Sequence, residues 1–295
     1  MKALLIGNDI NNATSDYSWN NLLQDLIEYA QLKEQPPVME GKPFPMLYEE
    51  IFLNSAKQYG TKEKRIKTYI AVKAMRLQPN EIHKEIMNMD IPVLLTTNYD
   101  LTLESTLKAQ PEHIRNAAAI RENRYSLYRV NQVDHHRVWH IHGSAANPSS
   151  ITLGYEHYSG YLQQMRNYMV VGKKGTESQK SEQALARRIK EDSVKHNSWI
   201  DYFFTHDIHI FGLNLDFVEI HLWWLLTYRA RTILLNKVKL KNKIYYYYPQ
   251  HYAEKSQHKL QLFKANEVVT VPLPMKEGNR ISYYQRVLKK IMATE

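Results

Sequence analysis

Six short, mostly apolar runs, at positions 3–6, 93–96, 138–141, 208–211, 244–248 and 268–271, constrain this chain more than any other feature of it. A strand with one wet face alternates apolar and polar side chains, whereas a strand apolar at successive positions must be covered on both faces. The segments between the runs carry helical spacing instead. Leu22, Leu23, Leu26 and Ile27 form one apolar stripe, Ile82, Ile86 and Met87 a second, and Val218, Leu222, Leu225 and Leu226 a third. Buried strands alternating with amphipathic helices predict an α/β fold: a doubly wound, mainly parallel sheet.

One stretch departs from this alternation. Residues 158–196 are polar with helical spacing and contain Gly172-Lys173-Lys174-Gly175-Thr176, a loop-tip sequence. They read as an insertion, a small helical subdomain over the carboxyl edge of the sheet. The expected organisation is an α/β domain built from residues 1–158 and 201–295, with residues 159–200 as the helical insertion. Residues 32–48, with Pro36, Pro37, Pro43 and Pro45, read as an irregular loop.

Composition narrows the class. With 43% hydrophobic and 23% charged residues over 295 positions, the chain has ample material for a core, which excludes a disordered protein. It has no cysteine. Disulfides, thiolate zinc sites and cysteine nucleophiles are therefore ruled out together, and a reducing cytosol suits the composition. The apolar run at 3–6 is too short for the core of a signal peptide. Asp207, Asp216 and Glu219 interrupt the most apolar region, 199–228, so a cytoplasmic location and no membrane contact are expected.

Charge is uneven. The chain carries +9, and residues 229–295 alone hold 14 Lys/Arg against 4 Asp/Glu, or +10. A basic C-terminal third fits either an anionic partner, such as nucleic acid or a regulatory protein, or a solvated basic face. The alternating Lys237, Lys239, Lys241 and Lys243 read equally as protection of an edge strand.

Polar chemistry gathers at four strand ends. Gly7, Gly143 and Gly212 sit at or just past apolar runs, within Gly7-Asn8-Asp9-Ile10-Asn11, His140-Ile141-His142-Gly143-Ser144 and Gly212-Leu213-Asn214-Leu215-Asp216. A fourth run ends in Thr96-Thr97-Asn98-Tyr99-Asp100. Open α/β sheets bind ligands outside the carboxyl ends of their strands, where glycine lets backbone approach closely. A single turn of this kind serves as well for capping a helix. Four together point to one crevice.

These motifs, in this order, resemble the sirtuin-like NAD-consuming domains of bacterial anti-phage defence systems, over about residues 1–250. Gly7-Asn8-Asp9-Ile10-Asn11, followed by Ser18-Trp19 and Leu22-Leu23, resembles that family's first nucleotide-binding loop. Thr96-Thr97-Asn98-Tyr99-Asp100 resembles the motif beside the nicotinamide ribose, and Trp139-His140-Ile141-His142-Gly143 the catalytic histidine–glycine pair. Leu153-Gly154-Tyr155-Glu156-His157-Tyr158 looks like the segment that follows, and Phe211-Gly212-Leu213-Asn214-Leu215-Asp216 like the loop holding the adenosine ribose. The resemblance implies a Rossmann-like sheet that takes NAD as substrate, with Asn98, His142 and Asp100 catalytic and Gly7, Asn8, Asp9, Asn11, Thr97, Gly143, Gly212, Asn214 and Asp216 binding the dinucleotide. It also implies a defence effector that depletes NAD and is switched on by a trigger or by self-assembly into a homo-oligomer.

Two departures qualify it. Asp9 stands where the family has a second glycine, and its carboxylate beside a pyrophosphate must turn away, bind a ribose hydroxyl or mark altered ligand use. The four zinc cysteines of protein-deacylating sirtuins are absent, which favours hydrolysis of NAD over deacylation. Breaking the nicotinamide–ribose bond passes through an oxocarbenium-like transition state. Asn98 suits orienting the water or the ribose without adding charge. Imidazole exchanges protons near neutral pH, so His142 suits accepting one from water or a ribose hydroxyl; Asp100 suits stabilising developing positive charge or holding the loop. His140, two residues away, reads as structural. The pairs His135-His136 and His206/His209 fit no metal spacing, and no metal is expected. A non-enzymatic NAD or ADP-ribose binding module is the rival reading.

Overall fold

The structure, a computed structural model, describes residues 1–14, 19–107, 114–118, 120–122, 124–172, 183–235, 238–276 and 278–294. Ser18, Lys237 and positions 173–176 of the expected loop tip lie outside the described residues. Among the described residues, eight strands form one sheet: β1 (Lys2–Ile6), β2 (Val93–Thr96), β3 (Arg115–Asn116), β4 (Asn131–Val133), β5 (His136–His140), β6 (Asp207–Phe211), β7 (Ile244–Pro249) and β8 (Val268–Leu273). Their order is β3-β4-β5-β2-β1-β6-β7-β8. From β5 to β8 every pairing is parallel; only β3–β4 and β4–β5 are antiparallel. The six parallel strands thus follow the doubly wound Rossmann order, with the switch at β1.

Alternate side chains of each inner strand enter cores on opposite faces, which explains the uninterrupted apolar runs. Ala3 and Leu5 of β1 join one cluster with Leu95, Trp139 and Ile210, while Leu4 and Ile6 join another with Leu94, Val138 and Phe211. The helices are α1 (Trp19–Tyr29), α2 (Phe44–Tyr59), α3 (Glu63–Ala74), α4 (Glu81–Met87), α5 (Thr102–Ser105), α6 (Tyr155–Arg166), α7 (Leu185–Lys190), α8 (Tyr202–Thr205), α9 (Ile220–Leu234), α10 (Gln257–Ala265) and α11 (Arg280–Met292). Residues of α6, α8, α9 and α10 cover the first face; those of α4 and α11 cover the second. Among the described residues, no helix is long and apolar enough to cross a membrane.

The layer over the carboxyl edge comes from residues 19–74. Leu22 and Leu26 of α1, Tyr48 of α2, and Ile66 and Ile70 of α3 pack with Tyr99, Ala145, Ile151 and Leu153, which follow β2 and β5. Residues 155–171 lie on the sheet face instead. Tyr161, Met165, Tyr168 and Met169, at helical spacing, belong to the same core as Ala3 and Leu5, so the stretch is amphipathic rather than polar throughout. The position 158/159 falls inside α6.

Two sequence expectations are corrected. The loop expected over 32–48 gives way to α2 from Phe44, because Pro43 stands at the N-cap and Pro45 in the first turn, where a missing N–H is tolerated. Lys239, Lys241 and Lys243 precede β7, which pairs on both sides and is not an edge.

Candidate active site

The four strand ends belong to β5, β2, β1 and β6, which are consecutive in the sheet. Their loops meet at a cleft of about 520 Å³ lined by Asn8, Asp9, Asn12, Lys42, Pro43, Phe44, Thr97, Tyr99, His142, Tyr158 and residues 212–216, with Val218 and Glu219. That volume falls within the range of small-molecule and cofactor sites.

Glycine makes the floor possible. The Gly7 N–H donates to Phe211 O at 3.0 Å and the Asp9 N–H to Gly212 O at 2.9 Å, locking the first loop onto the β6 turn. Gly212 has φ +66° and Gly143 φ +87°, a left-handed backbone that strains other residues. At Gly143 this lets residues 150–152 return past the strand end, where Thr152 N–H donates to His142 O at 2.9 Å.

The carboxylate of Asp9 faces α11: Tyr284 Oη donates to Oδ2, and Arg280 Nε lies 3.3 Å from Oδ1. Asp9 nevertheless remains among the residues lining the cleft. Asn8 lines the cleft, and its Oδ1 accepts from Asn11 Nδ2 at 2.8 Å. Asn11 itself is buried behind the loop. It also donates to Asp100 Oδ2 at 2.9 Å, and its Oδ1 accepts from His83 Nε2 at 3.0 Å. Burial pushes His83 down to about 4, so its neutral ring bridges Asn11 and Asn80.

Asp100 does not reach the cleft lining. Its Oδ1 accepts from the Thr102 N–H at 3.1 Å and from the Thr102 hydroxyl, starting α5, while its other oxygen holds Asn11. Asn98 is also buried outside the lining, but its Oδ1 has no hydrogen-bond partner among the described residues. The cleft-facing amide oxygen Asn12 Oδ1 is likewise unpartnered. Buried polar atoms are usually satisfied, so an orphaned amide oxygen at the cleft, as on Asn12, is a position for a ligand or water.

His140 holds this loop from behind. Its Nδ1 donates to Asn98 O and its Nε2 to Glu104 Oε1, both at 2.8 Å. Burial alone would depress the His140 pKa, but the Glu104 carboxylate overrides it and raises it; Glu104, also resisted by burial, is drawn down by His140. The result is a buried ion pair fixing Asn98.

His142 lies on the cleft wall. Its Nε2 is 2.9 Å from His221 Nε2 and 3.2 Å from Glu219 Oε2. His221 is wholly buried beside Tyr158 and Tyr161, and burial together with His142 holds its pKa well below the usual value. The sequence reading missed both partners. Glu219 and His221 are two residues apart but 77 or more from His142, and the start of α9, with Glu219 at its N-cap, brings them there. Opposite, Lys259 Nζ donates to the carbonyl and side-chain oxygens of Asn214 at 2.9 Å, and Asp216 Oδ1 accepts from Val218 N–H at 3.3 Å. Asn214 and Asp216 both line the cleft.

Residues 92–194 match the family described as the SIR2-like domain. That stretch contains Thr97, Asn98, Asp100, His142 and Gly143; the glycine loops at Gly7 and Gly212 lie outside it. No curated protein matches the chain.

Proposed function

We propose, from the premise of that SIR2-like stretch, that this chain is an NAD glycohydrolase cleaving NAD to nicotinamide and ADP-ribose or its cyclised form. The observation that carries the proposal is the convergence of Asn8, Thr97, His142 and the 212–216 loop on one cleft at the carboxyl ends of four neighbouring parallel strands. In this reading Gly7 and Gly212 bring backbone to the pyrophosphate, while Asn214 and Asp216 take the adenosine ribose. Thr97 and Asn98 orient the nicotinamide ribose. Water attacks the ribose anomeric carbon, the electrons of the broken bond neutralise the pyridinium nitrogen, and His142 accepts the proton that water loses. Asp100 positions Asn11 and α5 and does not touch the substrate.

NAD depletion is toxic to its host, so we place the activity in defence, gated by a trigger or by homo-oligomer assembly; the basic C-terminal third is the surface for a regulatory protein or nucleic acid. A second reading, an NAD or ADP-ribose binding module without turnover, is favoured by one observation: neither Asn98 nor Asp100 lines the cleft. Nicotinamide release by the purified chain, against His142→Ala and Asn98→Ala, decides between the two. Release abolished by either substitution supports hydrolysis; binding without release supports the module.

A further inference from the structure

We propose that His142, Glu219 and His221 bind one divalent transition-metal ion of the zinc class at the wall of the cleft. One ligand atom from each residue lies within 4.8 Å of the other two. His142 Nε2 is 2.9 Å from His221 Nε2 and 3.2 Å from Glu219 Oε2. In a tetrahedral zinc site, bonds near 2.1 Å place neighbouring ligand atoms about 3.4 Å apart, so His142 Nε2 needs to draw back from His221 Nε2 by about 0.5 Å and from Glu219 Oε2 by about 0.2 Å.

Two further observations point to an absent ligand. Glu219 Oε2 is buried with no hydrogen-bond partner among the described residues, and so is His221 Nδ1, 4.0 Å from it; His221 offers the ion one nitrogen, either Nε2 beside His142 or, with the ring turned, this unpartnered Nδ1. Around His221 the walls are the rings of Tyr158 and Tyr161, and the Tyr161 hydroxyl is already committed to Ser126 O and Trp199 Nε1. Two imidazoles and one carboxylate form a borderline donor set that suits zinc, cobalt or ferrous iron rather than magnesium or calcium. His142 and Glu219 also face the cleft, which leaves a coordination position open to water. One consequence rests on the hydrolysis reading: an ion on His142 Nε2 occupies the nitrogen that takes the proton from water, so zinc inhibits turnover.

The test is titration of the chelator-stripped full chain with Co²⁺, followed by its visible absorption, and with Zn²⁺, followed by calorimetry and thermal melting. One ion per chain is expected, with tetrahedral-type cobalt bands and a zinc-dependent rise in melting temperature. Glu219→Gln and His221→Asn are each expected to weaken binding at least about tenfold. Glu219→Gln keeps the shape of a half-buried side chain and so answers if the histidine variant fails to fold. No one-to-one binding, or binding equally tight in Glu219→Gln and so carried by exposed histidines such as His135 or His258, would overturn the site. These readouts do not use NAD. A metal-free result with NAD turnover intact therefore rejects the ion alone, and metal binding without turnover rejects hydrolysis alone.

Discussion

Gly7 and Gly212 meet backbone to backbone: a Cβ on Gly7 would fall 2.2 Å from the Gly212 carbonyl oxygen, the same oxygen that accepts the Asp9 N–H. Backbone cannot move aside as a flexible side chain can. Gly7→Ala is therefore expected to destabilise the fold by about 1–3 kcal/mol through overpacking and to weaken NAD binding as the β1 and β6 loops part. Urea denaturation and NAD titration check both; an unchanged midpoint would mean that the crossing is not tight.

The carboxylate of Asp9 is held toward α11 by Tyr284 and Arg280. Removing both anchors in Tyr284→Phe/Arg280→Ala frees the charge to face the phosphates. KM for NAD is expected to rise several-fold with kcat little changed, and Asp9→Asn added to that pair is expected to restore it. A pair of substitutions without effect on KM would show that Asp9 is harmless where it stands.

The Glu104–His140 pair gives a pH signature. His140 is raised from its ordinary 6.5, so its contribution is full below 6.5 and lost as pH rises through its folded value. Glu104 is lowered from 4.5, so its contribution is full above 4.5 and lost as pH falls through its folded value. A double-mutant cycle with Glu104→Gln and His140→Asn should show the largest coupling between these limits. Each single substitution is expected to cost about 3–5 kcal/mol, because it strands a buried charge. Coupling independent of pH would contradict the ion pair.

His83 works in the opposite sense. Its pKa falls from 6.5 to about 4 on folding, chiefly through burial, so the unfolded chain binds a proton that the folded one refuses between those values. Stability is expected to fall as pH drops from 6.5 toward 4, with His206 and His209, also pushed down to about 4 by burial, adding to the slope. Urea midpoints across that range test this. His83→Gln is expected to flatten part of the slope, and an unaltered slope would contradict the assignment.

The sheet was legible because burial on both faces writes itself into consecutive residues, as in Ala3-Leu4-Leu5-Ile6, and because Gly7, Gly143 and Gly212 end such runs. The strands β3 and β4 were not, being two and three residues long and largely polar. The site was half legible. Asn8, Thr97, His142, Asn214 and Asp216 lie next to apolar strands and line the cleft. Asp100 faces Asn11 and Thr102, the loop-holding alternative that an aspartate just ahead of a helix offers. Glu219 and His221 were hidden because their partner, His142, is distant in sequence, and only the packing of α9 against α6 joins them.

The most direct measurement is nicotinamide release from NAD by the purified chain over a range of protein concentrations, with His142→Ala beside it. The account predicts release that disappears in the variant while NAD binding persists, and a steeper than linear concentration dependence if assembly gates activity. Release at an undiminished rate in His142→Ala, or no release at any concentration from a chain that binds NAD, would contradict hydrolysis at this site.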